Sequence, residues 1–124
     1  MRRTLPQRRT AETFDLRFWN QSFTVTVGFY PDGTPGEVFI DGGKTGQDIQ
    51  STARDAAVLL SLALQHGVPP DIIRHAITRG ASEEPASILG AIVDALPAVA
   101  RAFLSRTNDR GHEPGRPQPP SIRK

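Results

Sequence analysis

The sequence predicts an α+β domain: a three-stranded antiparallel meander packed by a long helix and followed by two further helices, with disordered basic tails. Two observations support this prediction. Before residue 42, apolar and polar residues alternate with a period of two, which is typical of strands that bury one face. After residue 47, apolar residues recur at steps of three and four, as on a helix that covers a sheet. With 124 residues, the chain is long enough for one domain with a modest core.

Three strands follow from the alternation. The first is predicted over Thr13–Trp19, and Asn20-Gln21 joins it to the second, Ser22–Tyr30. The next connection, Pro31-Asp32-Gly33-Thr34-Pro35-Gly36, has turn chemistry, because proline presets φ, aspartate bonds its own backbone and glycine accepts positive φ. The third strand covers Glu37–Asp41. The residues predicted to face the core are Phe14, Leu16, Phe18, Phe23, Val25, Val27, Phe29, Val38 and Ile40.

The long helix is predicted to begin between Gln47 and Thr52. Thr52 and Asp55 have the spacing of a capping box, which favours a late start. The helix ends at His66-Gly67, where glycine can take the left-handed conformation. Its predicted apolar stripe consists of Ile49, Ala53, Ala56, Leu60, Ala63 and Leu64.

Two further helices complete the domain. The second opens at Pro69-Pro70-Asp71, because prolines suit a first helical turn, and it closes at Gly80. The third covers Ser87–Leu104. Since proline removes a helical hydrogen bond, Pro97 predicts either a kink or a break inside it.

Charge divides the chain into three parts. Residues 1–10 carry four arginines and no acid, and residues 105–124 have a net charge of +3, so residues 11–104 carry −5 within the overall +2. We expect a flexible basic arm over 1–11, a domain over 12–104 and a disordered Pro/Arg-rich tail over 105–124. Basic arms attract phosphate in nucleic acid or nucleotide. The alternative is that they are solvated ends that keep the protein soluble.

Composition excludes several classes of function. The chain contains no cysteine, which excludes a disulfide, a thiolate metal site, a redox dithiol and a thiyl radical. The longest apolar run, Ala56–Leu64, is too short to span a bilayer. Arg2 and Arg3 precede a polar segment rather than the apolar one of a secretory signal. We therefore expect a cytoplasmic protein that does not contact a membrane.

The segment Gly42-Gly43-Lys44-Thr45-Gly46 follows a strand and precedes a helix, and it contains the residue types of a phosphate cradle. The phosphate-loop pattern requires a glycine where this chain has Val38, so the pattern fails. The alternative is that the glycines only turn the chain towards the helix.

Neither a metal site nor a catalytic site is predicted. The three histidines, His66, His75 and His112, do not have metal-ligand spacing. The acidic residues near the sheet–helix junction lack a neighbouring histidine or nucleophile, and acids at such places are usually caps and turn-formers. These residues are Asp32, Glu37, Asp41, Asp48 and Asp55.

Exposed aromatic residues are the remaining candidates for contact with a ligand or partner. Arg17 and Trp19 are predicted to share the strand face opposite the core, and Tyr30 to join them, an arrangement that could stack bases. Phe39 also lies away from the predicted core face. We expect these aromatic side chains to face solvent or to contact another protein rather than to stack on nucleotides.

The run Phe23–Ile40, with Asp-Gly-x-Pro-Gly-Glu at its centre, resembles the TSCPD domain, which forms the C-terminal region of adenosylcobalamin-dependent ribonucleotide reductases and also occurs in small free-standing proteins. Further similarities support the resemblance, and it extends over residues 5–94. They are Leu5–Arg9, Lys44-Thr45-Gly46, an acid at Asp55, Ser61–Pro69 with Leu-Gln-His-Gly-Val-Pro, and Pro85–Asp94.

The resemblance implies a link to deoxyribonucleotide synthesis. In the family, a separate barrel with cobalamin and a radical-bearing cysteine reduces the ribonucleotide, so the label ribonucleoside-diphosphate reductase belongs to the larger relatives. We expect this chain to bind no cofactor and to act as a non-catalytic accessory domain that docks on a reductase chain or on itself. The alternative is a nucleic-acid- or nucleotide-binding module that uses the basic arms, Arg17 and Lys44. The candidate contact residues are Arg17, Trp19, Tyr30, Asp32, Gly33, Glu37, Phe39, Lys44, Gly46 and Asp55.

Overall fold

The computed structural model describes residues 1–42 and 47–110, and it confirms the predicted α+β class. Three strands form one antiparallel sheet in the order β1-β2-β3, and three helices follow them. The elements are β1 (Ala11–Phe18), β2 (Gln21–Phe29), β3 (Pro35–Gly42), α1 (Gln47–Gln65), α2 (Pro70–Ala76) and α3 (Ile88–Arg110).

The β1–β2 turn consists of two residues, Trp19 and Asn20, with φ of 51° and 62°. Two consecutive positive φ values give the type I′ turn, whose twist matches that of the flanking strands. Phe18 pairs with Gln21, so the predicted turn at Asn20-Gln21 was one residue late. Asn20 accepts the left-handed conformation more readily than most residues, which is a local reason for the turn here.

The core lies between the sheet and the helices α1 and α3. Helix α1 packs mainly on β3, whereas α3 contacts β1 and α1. The stacked rings of Phe29 and Phe103, with centroids 4.3 Å apart, join the sheet to the C-terminal half of α3. The buried core residues are Phe23, Val25, Val27, Phe29, Val38, Ile40, Ala53, Ala57, Leu60, Leu64, Ile92, Val93, Leu96 and Phe103.

Helix α1 begins at Gln47, the early limit of the predicted interval. Thr52 therefore lies inside the helix, and the predicted late start at a capping box was wrong. The helix ends at Gln65, and Gly67 takes a φ of 88°, as the sequence predicted. Helix α2 ends at Ala76 and not at Gly80, because Ile77 is extended and donates its backbone N–H back to the carbonyl oxygen of Ile73.

Helix α3 runs without interruption through Pro97, so of the two predicted alternatives, a kink or a break, the break does not occur. An interior proline costs about 3 kcal/mol. Here the buried Leu96 and Phe103, on the two sides of Pro97, provide core contacts that offset this cost. The helix also continues beyond the predicted end at Leu104 to Arg110, and the part of the predicted tail after residue 110 lies outside the described residues.

One stretch of α3, Ile88–Arg106, is long and apolar enough to cross a membrane by length and composition, with a mean hydropathy of 1.7. Polar residues, among them Asp94 and Arg101, interrupt this stretch, so it contains no long unbroken apolar run. The stretch contains Ile92, Val93 and Leu96, which pack into the core. A helix that packs into a protein core can have the same length and composition as a membrane span, so these two properties do not distinguish between them.

A bidentate ion pair ties the α2–α3 connection to α3. Both terminal nitrogens of Arg79 donate to the carboxylate of Asp94 at 2.7 Å, and one of them also donates to the carbonyl oxygen of Arg74 at 2.9 Å. The hydrogen bond from Arg79 holds the pKa of Asp94 below its ordinary value. Paired charges of this kind are stronger than single neutral bonds and fix geometry as well.

Candidate functional site

A groove with a volume near 440 Å³ lies between the edge strand β3 and helix α1, and its lining is mostly apolar. Three large apolar side chains line it and remain accessible: Phe39 is 57% exposed, Val58 55% and Leu62 37%. Phe39 is the predicted contact residue that the structure confirms as lying away from the core. Because these three accessible apolar side chains share one groove, they are candidates for contact with a partner.

The floor of the groove is held by side chains of α1 that pair with the backbone edge of β3. The hydroxyl of Ser61 accepts the N–H of Val38 at 2.8 Å and lies 3.2 Å from the carbonyl oxygen of the same residue. One turn later, Gln65 Nε2 donates to the carbonyl oxygen of Gly36 at 2.9 Å. Because these edge groups are satisfied within the chain, that part of β3 does not need another strand, and the groove presents side chains instead.

Charged residues form the rim of the groove. Arg54 donates to Asp41 at 3.0 Å, and this hydrogen bond is the main reason that the pKa of Asp41 lies below its ordinary value. At the opposite end, Glu37 accepts from Arg9. An apolar centre with a polar rim is the usual anatomy of a protein interface.

The N-terminal arm lies against the domain close to the groove. Arg2 Nε donates to Gln65 Oε1 at 2.5 Å, and the backbone N–H of Arg3 donates to the carbonyl oxygen of Gln65 at 2.6 Å. The guanidinium of Arg3 also sits 3.8 Å from the centre of the Tyr30 ring and pairs with Asp32 at 3.2 Å. The arm has no regular secondary structure over residues 1–10, yet these contacts join it to the turn and to the end of α1.

The predicted placement of Tyr30 on an outer face was wrong, since the residue is only 2% exposed. Its hydroxyl donates to the carbonyl oxygen of Arg3 at 2.6 Å. The cause is a shift of register between Gly28 and Phe29, after which the strict alternation of β2 no longer applies.

The turn residues Asp32 and Gly33 have structural roles. Asp32 Oδ1 accepts from the hydroxyl of Thr34 at 2.7 Å and from its backbone N–H at 3.0 Å, and these bonds lower the pKa of Asp32. Gly33 has a φ of 91° and is buried against Leu104. Gly33 also lines a second cavity, near 650 Å³, to which Met1 and Arg3 of the arm contribute.

Arg17 and Trp19 lie at the β1 side of the sheet, away from the groove. Arg17 donates to the hydroxyl of Ser22 at 3.2 Å. Trp19 is 76% exposed but sits in the turn, where its ring stacks on Phe18 with centroids 5.3 Å apart. It is therefore not part of the strand face that it was predicted to share with Arg17.

The remaining predicted residues do not add a ligand to the groove. Asp55 is exposed on α1. Lys44 and Gly46, with the Gly-rich loop that contains them, lie outside the described residues, as does His112. Within residues 1–42 and 47–110, no group of three or more histidine, cysteine, aspartate and glutamate side chains is placed to hold a metal ion.

Four residues that define the groove were not predicted from the sequence: Val58, Ser61, Leu62 and Gln65. A signal for two of them was present. Val58 and Leu62 are four residues apart and fall outside the apolar stripe assigned to the core, so they mark a second apolar face on α1. Ser61 and Gln65 gave no comparable signal, because their partners are backbone atoms of a distant strand.

Comparisons with known proteins add the family context. The family model of the TSCPD domain matches residues 2–100. A vitamin B12-dependent ribonucleotide reductase of Rhodopirellula baltica is 38% identical over 72 residues, which are 58% of this chain and 7% of the relative. Reductases with the same description from Bradyrhizobium diazoefficiens and Agrobacterium fabrum are 37% and 35% identical over 70 and 68 residues. These alignments cover 56% and 55% of this chain, and 6% and 5% of the relatives. No solved structure matches the chain significantly.

Proposed function

The chain belongs to the TSCPD domain family, and from this premise we propose that it is a non-catalytic docking domain of deoxyribonucleotide synthesis that binds the catalytic chain of a B12-dependent ribonucleotide reductase in the cytoplasm. The observation that carries the proposal is the accessible apolar groove lined by Phe39, Val58 and Leu62. The chain aligns with only 5–7% of the length of the curated relatives, so the reductase activity of those proteins is not transferred to it.

The family context argues for a reductase chain as the occupant of the groove. In the relatives, the matching region is one small part of a long reductase polypeptide. A region that is covalently joined to such a protein acts at a high effective concentration. The same kind of domain acting in trans requires a surface with enough apolar contact to replace that linkage, and the groove supplies the apolar side chains for such a contact.

The described residues do not fit the cofactor of those relatives. The groove and the second cavity, near 440 and 650 Å³, are in the range that holds a small ligand, whereas a corrinoid with its nucleotide arms is considerably larger. The chain also has no cysteine to carry a thiyl radical or to deliver reducing equivalents. We therefore assign it a role in binding and derive no chemical step through cobalamin.

The arms offer less support for nucleic acid as a partner. Three of the four arginines of the N-terminal arm are engaged within the chain: Arg2 with Gln65, Arg3 with Asp32, and Arg9 with Glu37. Binding through basic arms would weaken steeply as salt is raised. A titration with an oligonucleotide at low and high salt therefore separates this alternative from the docking domain.

The test is binding of the purified chain to the catalytic chain of a B12-dependent reductase from the same cell, measured by calorimetry. Phe39→Ser and Leu62→Ser remove apolar area from the groove, and we expect each to weaken binding by about tenfold or more. Ile72→Ser is the matched control, because Ile72 is equally accessible but lies on α2 outside the groove, and it should leave the affinity unchanged. Circular dichroism checks that each variant folds. Equal binding by the groove variants and the wild type, or no binding to the reductase at all, would refute the proposal.

A further inference from the structure

The two edges of the sheet differ in how their backbone groups are used. The edge of β3 is paired by Ser61 and Gln65. At the other edge, β2 is the one neighbour of β1 among the described strands. Among the backbone hydrogen bonds of the described residues, none joins Thr13, Asp15 or Arg17 to a neighbouring element on the outer side of β1.

The turn geometry shows which groups of β1 face outward. In a two-residue turn, the residues that flank it exchange both backbone hydrogen bonds, so Phe18 bonds Gln21. Alternation then directs the backbone groups of Phe14 and Leu16 towards β2. The N–H and C=O groups of Thr13, Asp15 and Arg17 therefore point away from the sheet.

The opposite end of the sheet gives an independent check of this parity. Val38 directs its N–H to Ser61, away from β2, so Val38 and Val27 form a non-hydrogen-bonded pair. The backbone N–H and C=O groups of Val27 consequently point towards β1, where Val27 pairs with Glu12. Since Phe14 and Leu16 lie two and four residues after Glu12, their backbone groups also point towards β2, which agrees with the assignment from the turn.

The apolar face of β1 is also incompletely covered. Phe14, Leu16 and Phe18 pack against the core cluster but remain half-buried, whereas Val25 and Phe23, which pair with Phe14 and Leu16 from β2, are buried. A further strand beside β1 would extend the apolar face and cover these side chains. The outer edge and the half-buried face thus belong to the same strand and require the same kind of partner.

We propose that β1 pairs with β1 of a second copy of this chain, antiparallel and centred on Leu16, to form a continuous six-stranded sheet. In this register Asp15 lies opposite Arg17 of the second copy, and the symmetry repeats the pair. A register centred on Asp15 would instead place two carboxylates opposite each other, which is unfavourable. Among the described residues, Asp15 accepts from the hydroxyl of Thr24 at 3.4 Å and Arg17 donates to that of Ser22 at 3.2 Å, and both contacts are exposed. Both charges are therefore free to pair across the interface.

This dimer goes beyond the proposed function, since it uses the opposite edge of the sheet from the groove. Both copies keep their grooves accessible in the assembly. A failure of reductase binding therefore does not affect this inference, and a failure of dimerisation does not affect the docking role.

Cross-linking tests the register directly, because the chain has no cysteine of its own. In the proposed register, the two Leu16 residues form a non-hydrogen-bonded pair with Cα atoms about 4.5 Å apart, which suits a disulfide. We expect Leu16→Cys to form a covalent dimer under mild oxidation. Arg17→Cys is the control. In the same register, the two copies of residue 17 would lie two residues apart along the strands, with Cα atoms roughly 8 Å apart, which is too far for a disulfide. Equal cross-linking of both variants, or of neither, would overturn the register.

Charge reversal tests the same contact without a covalent bond. We expect Asp15→Arg to raise the dimer dissociation constant by about tenfold or more, because two attractive pairs become repulsive. The double variant Asp15→Arg with Arg17→Asp restores opposite charges and should recover the wild-type dissociation constant. Sedimentation equilibrium measures all three proteins. A wild-type chain that stays monomeric over the whole accessible concentration range, or a double variant no better than the single one, would refute the proposal.

Discussion

Gln65 connects three parts of the molecule, and its replacement by alanine is the most informative single change. The side chain is only 6% exposed. Its amide donates to the carbonyl oxygen of Gly36 on β3 and accepts from Arg2 in the arm, while its backbone carbonyl accepts the N–H of Arg3. Gln65→Ala removes the two side-chain bonds and leaves the backbone bond in place.

The expected loss follows from these two bonds. A hydrogen bond contributes a net 0.5–1.5 kcal/mol, and a buried acceptor left without a donor costs about 1–3 kcal/mol. The bond to Gly36 is buried, whereas the bond to Arg2 is only partly so and counts for less. We therefore expect Gln65→Ala to lower the free energy of unfolding by about 2 kcal/mol, a fall in Tm on the order of 10 °C for a domain of this size.

Two measurements separate the parts of this effect. Thermal unfolding followed by circular dichroism gives the total loss. Gln50→Ala is the matched control, because Gln50 lies on the same helix and makes no pair of bonds like those of Gln65 with the described residues. Limited trypsin digestion reports the arm, which carries Arg2, Arg3 and two further arginines. Cleavage there should accelerate in Gln65→Ala and stay at the wild-type rate in Gln50→Ala, since cleavage follows local opening.

A variant that lacks the arm completes the cycle. If Gln65 holds the arm, the loss from Gln65→Ala should be smaller in the chain without residues 1–9 than in the full chain, because one of its two partners is then already absent. Losses that simply add, together with unchanged digestion of the arm, would refute the assignment of Gln65 as the link between the arm and the domain.

Two other predictions concern glycine and pH. Gly42→Ala and Gly67→Ala both place a side chain at positive φ, but a Cβ at Gly42 would lie 2.9 Å from the backbone carbonyl oxygen of Ser22 and one at Gly67 would meet nothing. Thermal unfolding should therefore show a loss of about 1 kcal/mol at Gly67 and clearly more at Gly42. Equal losses would contradict the close approach of Gly42 to the backbone of Ser22. For pH, the lowered pKa of Asp94 means that the folded state binds fewer protons than the unfolded state. The stabilisation is complete above the unfolded pKa of about 3.9 and is lost as pH falls towards the lower folded value. Asp94→Asn removes the charged partner of Arg79 and should lower the free energy of unfolding by about 1 kcal/mol at neutral pH. It should also flatten the acid limb of a curve of Tm against pH. An unchanged acid limb would show that the ion pair does not contribute.

The elements that could be predicted from the sequence are those in which local spacing and tertiary burial agree. Val25, Val27 and Phe29 alternate in the sequence and are buried in the sheet. Tyr30 could not be placed in this way. The register shift between Gly28 and Phe29 reverses the face of the sheet on which the next side chain lies, and nothing local in the sequence specifies that shift.

The third helix shows a different limit of the same reasoning. Its predicted end was the last apolar residue, Leu104, yet the helix continues to Arg110. Phe103 anchors it on Phe29, and Arg106 pairs with Glu12 of β1. These contacts join residues that are distant in the sequence, so apolar periodicity alone could not have placed the end of the helix. The groove was only partly predictable for the same reason, since Phe39 came from the strand pattern, whereas Ser61 and Gln65 acquire their roles from β3.

The two strings that carry the family resemblance meet in the structure, and this bears on where function lies. The turn around Gly33 and the segment after Gln65 line the same cavity, near 650 Å³, and the hydrogen bond from Gln65 to Gly36 joins them. Their residues are occupied in holding the turn, the end of α1 and the arm together. Phe39 and Leu62 of the groove, by contrast, remain accessible to a partner. The strings therefore account for the fold, and differences between members of the family in the partner that they bind should lie in the groove residues, which the binding experiment with Phe39→Ser and Leu62→Ser addresses directly.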